Sequence, residues 1–288
     1  MTTAPPTPVA TPGLDEAVTM AKVRAENFPV ATRLLPATAR AHLLAVYGFA
    51  RAVDDLGDLA PGDRGAKLDA FVAAFDDALA GRPAHPLLAR AAEMARATGA
   101  DRSLFLRLVE ANRQDQVVAR YPTYDDLAAY CDLSANPVGR LVLCAFGVDD
   151  PVAGELSDRI CTGLQLVEHW QDVAEDRRAG RVYLPLEDLA AFQVAEGDLD
   201  APTAPAGLRR LLAFEGARAR ALLVAGIPLV RRLGGRAGLA VAGFVGGGLA
   251  QLDALAAARF DVLGVQVKAT RTAVLAKAAA VAAGRVRG

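Results

Sequence analysis

The stretch YGFARAVDDLGD, Tyr47 to Asp58, combines the apolar spacing of a packed helix with three carboxylates inside five residues. Phe49, Ala52, Val53 and Leu56 recur at helical intervals, so one face seeks a core. Asp54, Asp55 and Asp58 crowd the other side, and like charges at i, i+4 weaken a helix by about 0.2–0.5 kcal/mol. Such a cluster is tolerable in open water or beside a cation. On a 3.6-residue helix, Tyr47, Arg51, Asp54/Asp55 and Asp58 form one continuous stripe.

A second segment, QLVEHWQDVAEDRRAGRVYLP from Gln165 to Pro185, repeats the pattern. Gln165, Glu168, His169, Asp172, Glu175 and Asp176 share a face, while Leu164, Val167, Trp170 and Val173 adjoin it and can pack inward. A single acidic helix face is more often simply solvated. Asp172 and Asp176 also have Arg177 and Arg178 within reach as surface partners. Two such stripes facing each other across a helical bundle would make an oxygen-rich pocket. That pocket suits Mg²⁺, which prefers carboxylates, water and phosphate oxygens. A metal bridging a diphosphate makes it a better leaving group. Arg51, Arg177, Arg178 and Arg181 could add positive charge for the departing anion.

The rest of the chain bounds these ideas. With 53% hydrophobic residues among 288, the core can be sizeable, and disorder is excluded for most of the chain. The formal net charge of −1, from 32 basic and 33 acidic residues, gives no bulk field for nucleic acid. Cys131, Cys144 and Cys161 show no metal-ligand spacing and read as buried thiols in a reducing cytosol. Residues 1–13, rich in Pro and Thr, read as a disordered tail rather than a signal or anchor. Residues 14–288 read as one domain. The charge-free run from Ala237 to Leu252 falls short of the roughly 20 residues that span a bilayer. The expected location is therefore cytoplasmic, with a greasy substrate or peripheral membrane contact left open.

Helical periodicity extends almost throughout, over 14–26, 37–56, 64–80, 86–98, 101–119, 123–132, 135–146, 151–176, 206–232, 236–258 and 261–284. No alternating strand interrupts it. AEGDLDAPTAPAG, 195–207, reads as a surface linker. The fold class is all-α. No GxGxxG follows a strand, and neither a P-loop nor a GxSxG elbow occurs. His42 and His85 read as helix-surface residues, with His169 beside the second stripe. Trp170, Phe28, Phe49, Phe146 and Phe244 read as core, some of them able to line an apolar tunnel and steady a carbocation.

Three segments together carry a resemblance: ENFPVATRLLP (26–36) with YGFARAVDDLGD, YCDLSANPVGRLVL (130–143), and GLQLVEHWQDVAEDRRAGRVYLP (163–185). They resemble the squalene/phytoene synthase family, and within it the hopanoid-pathway branch that makes hydroxysqualene. The resemblance implies a single-domain isoprenoid synthase bundle around a central cavity. It implies that Asp54, Asp58, Asp172 and Asp176 hold Mg²⁺ against a diphosphate, with Glu168 as a further metal candidate. It implies substrate contacts from Tyr47, Arg51, Gln165, Asn136, Arg181 and Tyr183. Asp115 with Arg120-Tyr121 matches an acidic residue and RY pair between the motifs, and Asn136 and Gly139 match a turn in the central helices. The substrate implied is presqualene diphosphate, with hand-off to or from neighbouring pathway enzymes. The alternatives are a head-to-head synthase condensing two prenyl diphosphates, and a silent family member acting as scaffold. Glu168 stands where the family commonly has Asn, Gln171 where Arg is commoner, and Phe260 where Tyr is frequent. Glu26-Asn27-Phe28-Pro29 replaces a Ser-rich diphosphate contact.

Overall fold

A computed structural model describes residues 35–286. The expectations for the tail, the helix at 14–26, Phe28 and most of ENFPVATRLLP lie outside the described residues. Those described are helical, and the only strand-like feature among them is an isolated parallel bridge between Arg120 and Val182. Contacts group the chain into two compact units, one of residues up to 117 with 137–149, the other of 118–136 with 150–288.

The first unit is built on α1 (Ala37–Asp58), α2 (Arg64–Leu79), α3 (Pro86–Thr98) and α4 (Arg102–Gln114). Each start after α1 is written in the sequence. Asp63 accepts from the Ala66 amide and Asp101 from the Ser103 amide, satisfying donors left over at a helix N-terminus. Pro86 opens α3 and Gly99, at φ 71°, closes it in the left-handed conformation that glycine tolerates. His85, expected on a helix surface, instead caps α3 by accepting from Leu87 N at 3.3 Å. The apolar face of α1 packs on α2, α3 and α4. At its centre Phe49 meets Phe71, Phe75 and Phe105, ring centroids 4.9–5.0 Å apart, all fully buried. Each such ring contributes about 1.5–3 kcal/mol on burial.

The second unit contains α5 (Tyr124–Ser134), α7 (Pro151–Gln171), α8 (Val173–Arg178), α9 (Leu186–Ala191), a 3₁₀ turn (Glu196–Asp200), α10 (Ala206–Gly226), α11 (Pro228–Leu233), α12 (Gly235–Ala257) and α13 (Arg271–Ala282). Between the stretches, α6 (Asn136–Ala145) carries the chain from one unit to the other. Small residues let α7, α10 and α12 approach closely. A Cβ on Gly226 would sit 2.3 Å from Ile160 Cγ1, and one on Gly248 would sit 2.7 Å from Leu164 Cδ2.

Four expectations need correction. The helix predicted over 151–176 breaks at Asp172, whose φ −103° and ψ 17° end α7 and begin α8. The one over 206–232 breaks at Ile227, because Pro228 has no N–H to continue the ladder. Residues 261–270 are not helical: Arg259 and Phe260 both take φ 54° and turn the chain away. The loop is then pinned by Gln251, which donates to Val267 O at 2.7 Å and accepts from Ala269 N at 2.8 Å. The supposed linker 195–207 holds the 3₁₀ turn, which packs against α8.

Other expectations hold in part. Phe49 and Trp170 are core, whereas Phe146 and Phe244 are half-buried. Cys131 is buried, Cys144 and Cys161 half-buried, and burial pushes the Cys131 thiol up to about 12. At 23 residues, α12 is longer than its charge-free run and apolar enough to cross a membrane, but 56% of its most apolar window is buried. It packs against α7, α10, α11 and α13 like the core helix of a globular unit.

A buried ionic cluster ties α9 to α10. Glu215 is fully buried, and Arg218 Nη1 donates to both of its oxygens at 3.1 Å and to Asp188 Oδ2 at 2.9 Å. The Arg218 guanidinium lies 4.0 Å over the Tyr124 ring. Burial, and then the neighbouring Asp188, push the Glu215 carboxyl up to about 8 against the pull of Arg218.

Candidate functional site

On α1 the expected stripe is present. Tyr47 and Arg51 are half-buried, and Asp54 and Asp58 are open to water. Arg51 Nη2 pairs with Asp55 Oδ1 at 3.1 Å, one turn along. Asp54 has a different partner: Asn112 Nδ2, on α4, donates to its Oδ1 at 3.1 Å. That contact depends on Gly57. A Cβ there would lie 2.0 Å from Asn112 Oδ1, and the Gly57 carbonyl accepts from Gln116 Nε2 at 3.0 Å. The glycine inside DDLGD is thus the gap through which α4 reaches α1.

Asp54 combines access to water with dense surrounding protein. Desolvation by that protein raises its carboxyl to about 6; Asn112 and Arg51 oppose the rise, while Asp58 and Asp55 add to it. Asp54 is crowded by two like charges and held by a neutral amide, and Arg51, paired with Asp55, offsets that crowding only in part. A divalent cation would relieve it.

The second acidic segment repeats this arrangement. Gln171 Nε2 donates to Asp172 Oδ1 at 3.1 Å, again a neutral amide on the leading aspartate. Burial pushes the Asp172 carboxyl up and Glu175 adds to it, while Gln171 and Lys268 pull it down. The Asp172 carbonyl accepts from the Glu175 and Asp176 amides, so the break is itself hydrogen-bonded. Half-buried Asp176 lines a small cleft with His169, Arg181, Tyr183, Leu184 and Leu199. There, Gln165 Nε2 lies 3.3 Å from His169 Nε2, and His169 Nδ1 lies 4.0 Å from Asp176 Oδ2. His169 stacks on Tyr183 at 3.8 Å and 16°. Burial, reinforced by Arg181, drives the imidazole down to about 3, so it is neutral at pH 7.

The structure therefore gathers Gln165, Asp176, Arg181 and Tyr183 around His169, and Tyr47, Arg51, Asp54 and Asp58 on one helix. Tyr183 stacks on Tyr121 and lies tilted against Tyr130. Glu168 is exposed on α7. Asn136 begins α6 after a break at Ala135, its Nδ2 donating to Asp132 Oδ1 at 3.1 Å and its Oδ1 accepting from Thr162 Oγ1 at 3.0 Å. In this arrangement it fastens α5 to α7. Arg177, expected to serve a leaving anion, is engaged by Asp200 and Glu196, and Arg178 Nε donates to its own helix at Ala174 O. Asp115 caps α4, and Arg120 holds Glu196 and the Gly180 carbonyl rather than facing a ligand.

Among the described residues, no three or more carboxylates, imidazoles and thiols close into a metal cage. The donor chemistry nonetheless fits Mg²⁺. That ion binds through one or two carboxylates together with water and phosphate oxygens rather than through a complete protein cage. Asn112 was invisible in sequence, 58 residues from its partner. Gln171 stands out in the sequence, and the structure bonds it to Asp172.

Residues 21–273 match the Squalene/phytoene synthase family. A hydroxysqualene synthase from Rhodopseudomonas palustris is 33% identical over 212 residues, 73% of this chain and 72% of its own. A phytoene synthase from Mycobacterium tuberculosis is 31% identical over 232 residues, 78% of this chain and 76% of its own. The crystal structure of squalene synthase HpnC from Alicyclobacillus acidocaldarius matches with a TM-score of 0.79 at 39% identity, covering 85% of this chain and 94% of that one. The helices thus form the terpenoid synthase-like fold, and the chain belongs to the squalene/phytoene synthase family.

Proposed function

We propose that the protein converts presqualene diphosphate and water to hydroxysqualene and diphosphate. Its family processes prenyl diphosphates. The observation that carries the finer assignment is the 33% identity to the hydroxysqualene synthase of Rhodopseudomonas palustris across nearly three quarters of both chains. The identity of 31% to a phytoene synthase supports the runner-up, condensation of two prenyl diphosphates. A silent scaffold is the remaining alternative, and the presence of all four motif aspartates argues against it.

In this reading Asp54 and Asp58 on α1, and Asp172 and Asp176 at the α7–α8 break, hold Mg²⁺, with Glu168 as an additional exposed carboxylate. Bound Mg²⁺ supplies charge neutralisation to the substrate diphosphate. Asn112 and Gln171 each fix one oxygen of a leading aspartate and leave its charge unspent. Arg51 keeps Asp55 turned along the helix, and Tyr47 lies one turn before it. Arg181 brings a guanidinium to the cleft that Gln165, His169 and Tyr183 share. His169, neutral and stacked, adds no competing charge there. In the overall reaction the carbon–oxygen bond to diphosphate breaks with its electron pair leaving on the diphosphate, and the cyclopropylcarbinyl cation left behind rearranges its carbon–carbon bonds, opening the three-membered ring before water adds. A water oxygen forms the new bond and releases one proton to solvent. The protein would act in the cytoplasm and take its greasy substrate from a neighbouring enzyme or a membrane surface.

Purified protein with Mg²⁺ is offered presqualene diphosphate and, separately, farnesyl diphosphate. Hydroxysqualene from the first and no product from the second supports the assignment. Product from farnesyl diphosphate alone favours the condensing synthase, and diphosphate release from neither favours the scaffold.

A further inference from the structure

The segment that the sequence presents as a linker grips the second acidic motif. Arg177 follows Asp176 directly in the chain. Its Nε donates to Asp200 Oδ1 at 2.8 Å and its Nη2 to Asp200 Oδ2 at 2.7 Å, a two-pronged fork. Its Nη1 reaches Glu196 Oε1. Glu196 closes a second fork with Arg120, Nε at 2.9 Å and Nη2 at 2.6 Å. Arg120 Nη1 also donates to Gly180 O at 2.6 Å, and Val182 N donates to Ala119 O at 3.0 Å. The 3₁₀ turn therefore holds both sides of the turn that leaves α8. Arg–carboxylate forks of this kind fix orientation as well as proximity.

The short helix needs such support. α8 has six residues, too few to hold its own direction, and it begins at a break. Asp176 N donates to Asp172 O at 2.9 Å, and Arg181 N donates to Asp176 O at 2.8 Å. The backbone that aims both carboxylates thus ends in residues the forks hold. The carboxylate halves of the forks are open to water, Glu196 39% and Asp200 55% exposed, while Arg120 and Arg177 are half-buried at 28% and 22%. Exposed ion pairs add about 0.2–1 kcal/mol each, and more where forks join in a network, so the metal-free melting of a variant lacking both carboxylates separates stabilisation of the fold from orientation of the turn.

We propose that Glu196 and Asp200 are positioning residues that, through Arg177 and Arg120, fix the α8 turn so that Asp172 and Asp176 present their carboxylates to Mg²⁺ and diphosphate. The proposal rests on the metal-site reading given above. Partners that orient metal-bearing carboxylates commonly alter metal affinity by 10- to 100-fold.

The test compares wild type, Glu196→Gln/Asp200→Asn and Asp176→Asn by two readouts. One is the thermal shift on titrating Mg²⁺ with inorganic pyrophosphate, and the other is amide hydrogen exchange without metal. The double variant should melt within about 3 °C of wild type in the absence of metal. It should need about tenfold more Mg²⁺ for half of the shift, and exchange faster between Asp176 and Val182. Asp176→Asn should lose most of the shift. A double variant with wild-type Mg²⁺ response and wild-type exchange, while Asp176→Asn loses its response, overturns the positioning role and leaves the metal site standing. An Asp176→Asn variant that keeps the full response overturns the metal-site reading and the positioning role with it. Should the double variant not fold, Arg177→Lys serves instead, keeping the charge but not the fork. It should weaken the Mg²⁺ response alike, and an unchanged response overturns the proposal.

Discussion

Replacing Gly57 by alanine tests the contact that orients Asp54. The new Cβ would stand 2.0 Å from Asn112 Oδ1 and 2.9 Å from its Cγ, so the Asn112 side chain must move. It cannot move without cost, being buried and bonded to Asp54 Oδ1 at 3.1 Å and Leu108 O at 3.3 Å. Overpacking of this kind costs about 1–3 kcal/mol. Losing a hydrogen bond to a carboxylate costs about 1.5–3 kcal/mol, toward the lower end here because Asp54 is open to water. Against these, alanine gains about 1 kcal/mol over glycine inside a helix. The net loss is about 1.5–3.5 kcal/mol, a fall in Tm of several degrees. Gly247→Ala on α12 is the matched control, since nothing lies within 4 Å of its added Cβ; it should gain about 0.5–1 kcal/mol. Paired urea and thermal unfolding curves measure both. Gly57→Ala as stable as wild type, with an unchanged response to Mg²⁺ and pyrophosphate, would refute the steric account of the DDLGD glycine.

Asp54 titrates near 6 when folded, above the 3.8 of its ordinary value. The folded state therefore holds that proton more tightly, and stability falls as pH rises from about 4 through about 6. Asp54→Asn should accordingly match or exceed wild type in stability at pH 7, lose that advantage near pH 4, and lose diphosphate release; a stability loss at pH 7 with full turnover would make the aspartate structural. Glu215 follows the same sign across a higher window: with its carboxyl at about 8 against 4.5, stability should decline as pH rises from about 5 to about 8, and Glu215→Gln should flatten that decline in denaturant melts. A Gly246→Ala Cβ would meet the Ala278 backbone at 2.5 Å, so that variant should loosen α13 and speed its amide exchange without altering α1.

The all-helical class was legible because apolar spacing recurs over long stretches, and the first acidic stripe was legible because its carboxylates lie on one helix, whereas the second is divided by the break at Asp172. Their environments were not. The break at Asp172 follows no glycine or proline, and no local signal in VEHWQDVAED announces it. Ile227 and Pro228 do carry a signal, the missing N–H of Pro228, set within a pattern that stays amphipathic on both sides. The 3₁₀ turn looked like a linker for want of apolar residues, since what binds it to the fold is charge. Asn112 and Glu196 meet their partners across 58 and 76 residues, and pairings of that range leave no trace in a single sequence. His85 and Arg177 show the converse: residue types read correctly as polar were assigned to solvent or ligand, whereas backbone donors and carboxylates nearer by had already taken them.

The most direct test of the account is the release of diphosphate from presqualene diphosphate by the purified protein, with and without Mg²⁺, products weighed by mass spectrometry. The account predicts one diphosphate and one hydroxysqualene per substrate, only when Mg²⁺ is present, and neither from Asp54→Asn or Asp172→Asn. Turnover that persists in a chelator, or that survives in both aspartate variants, would contradict it.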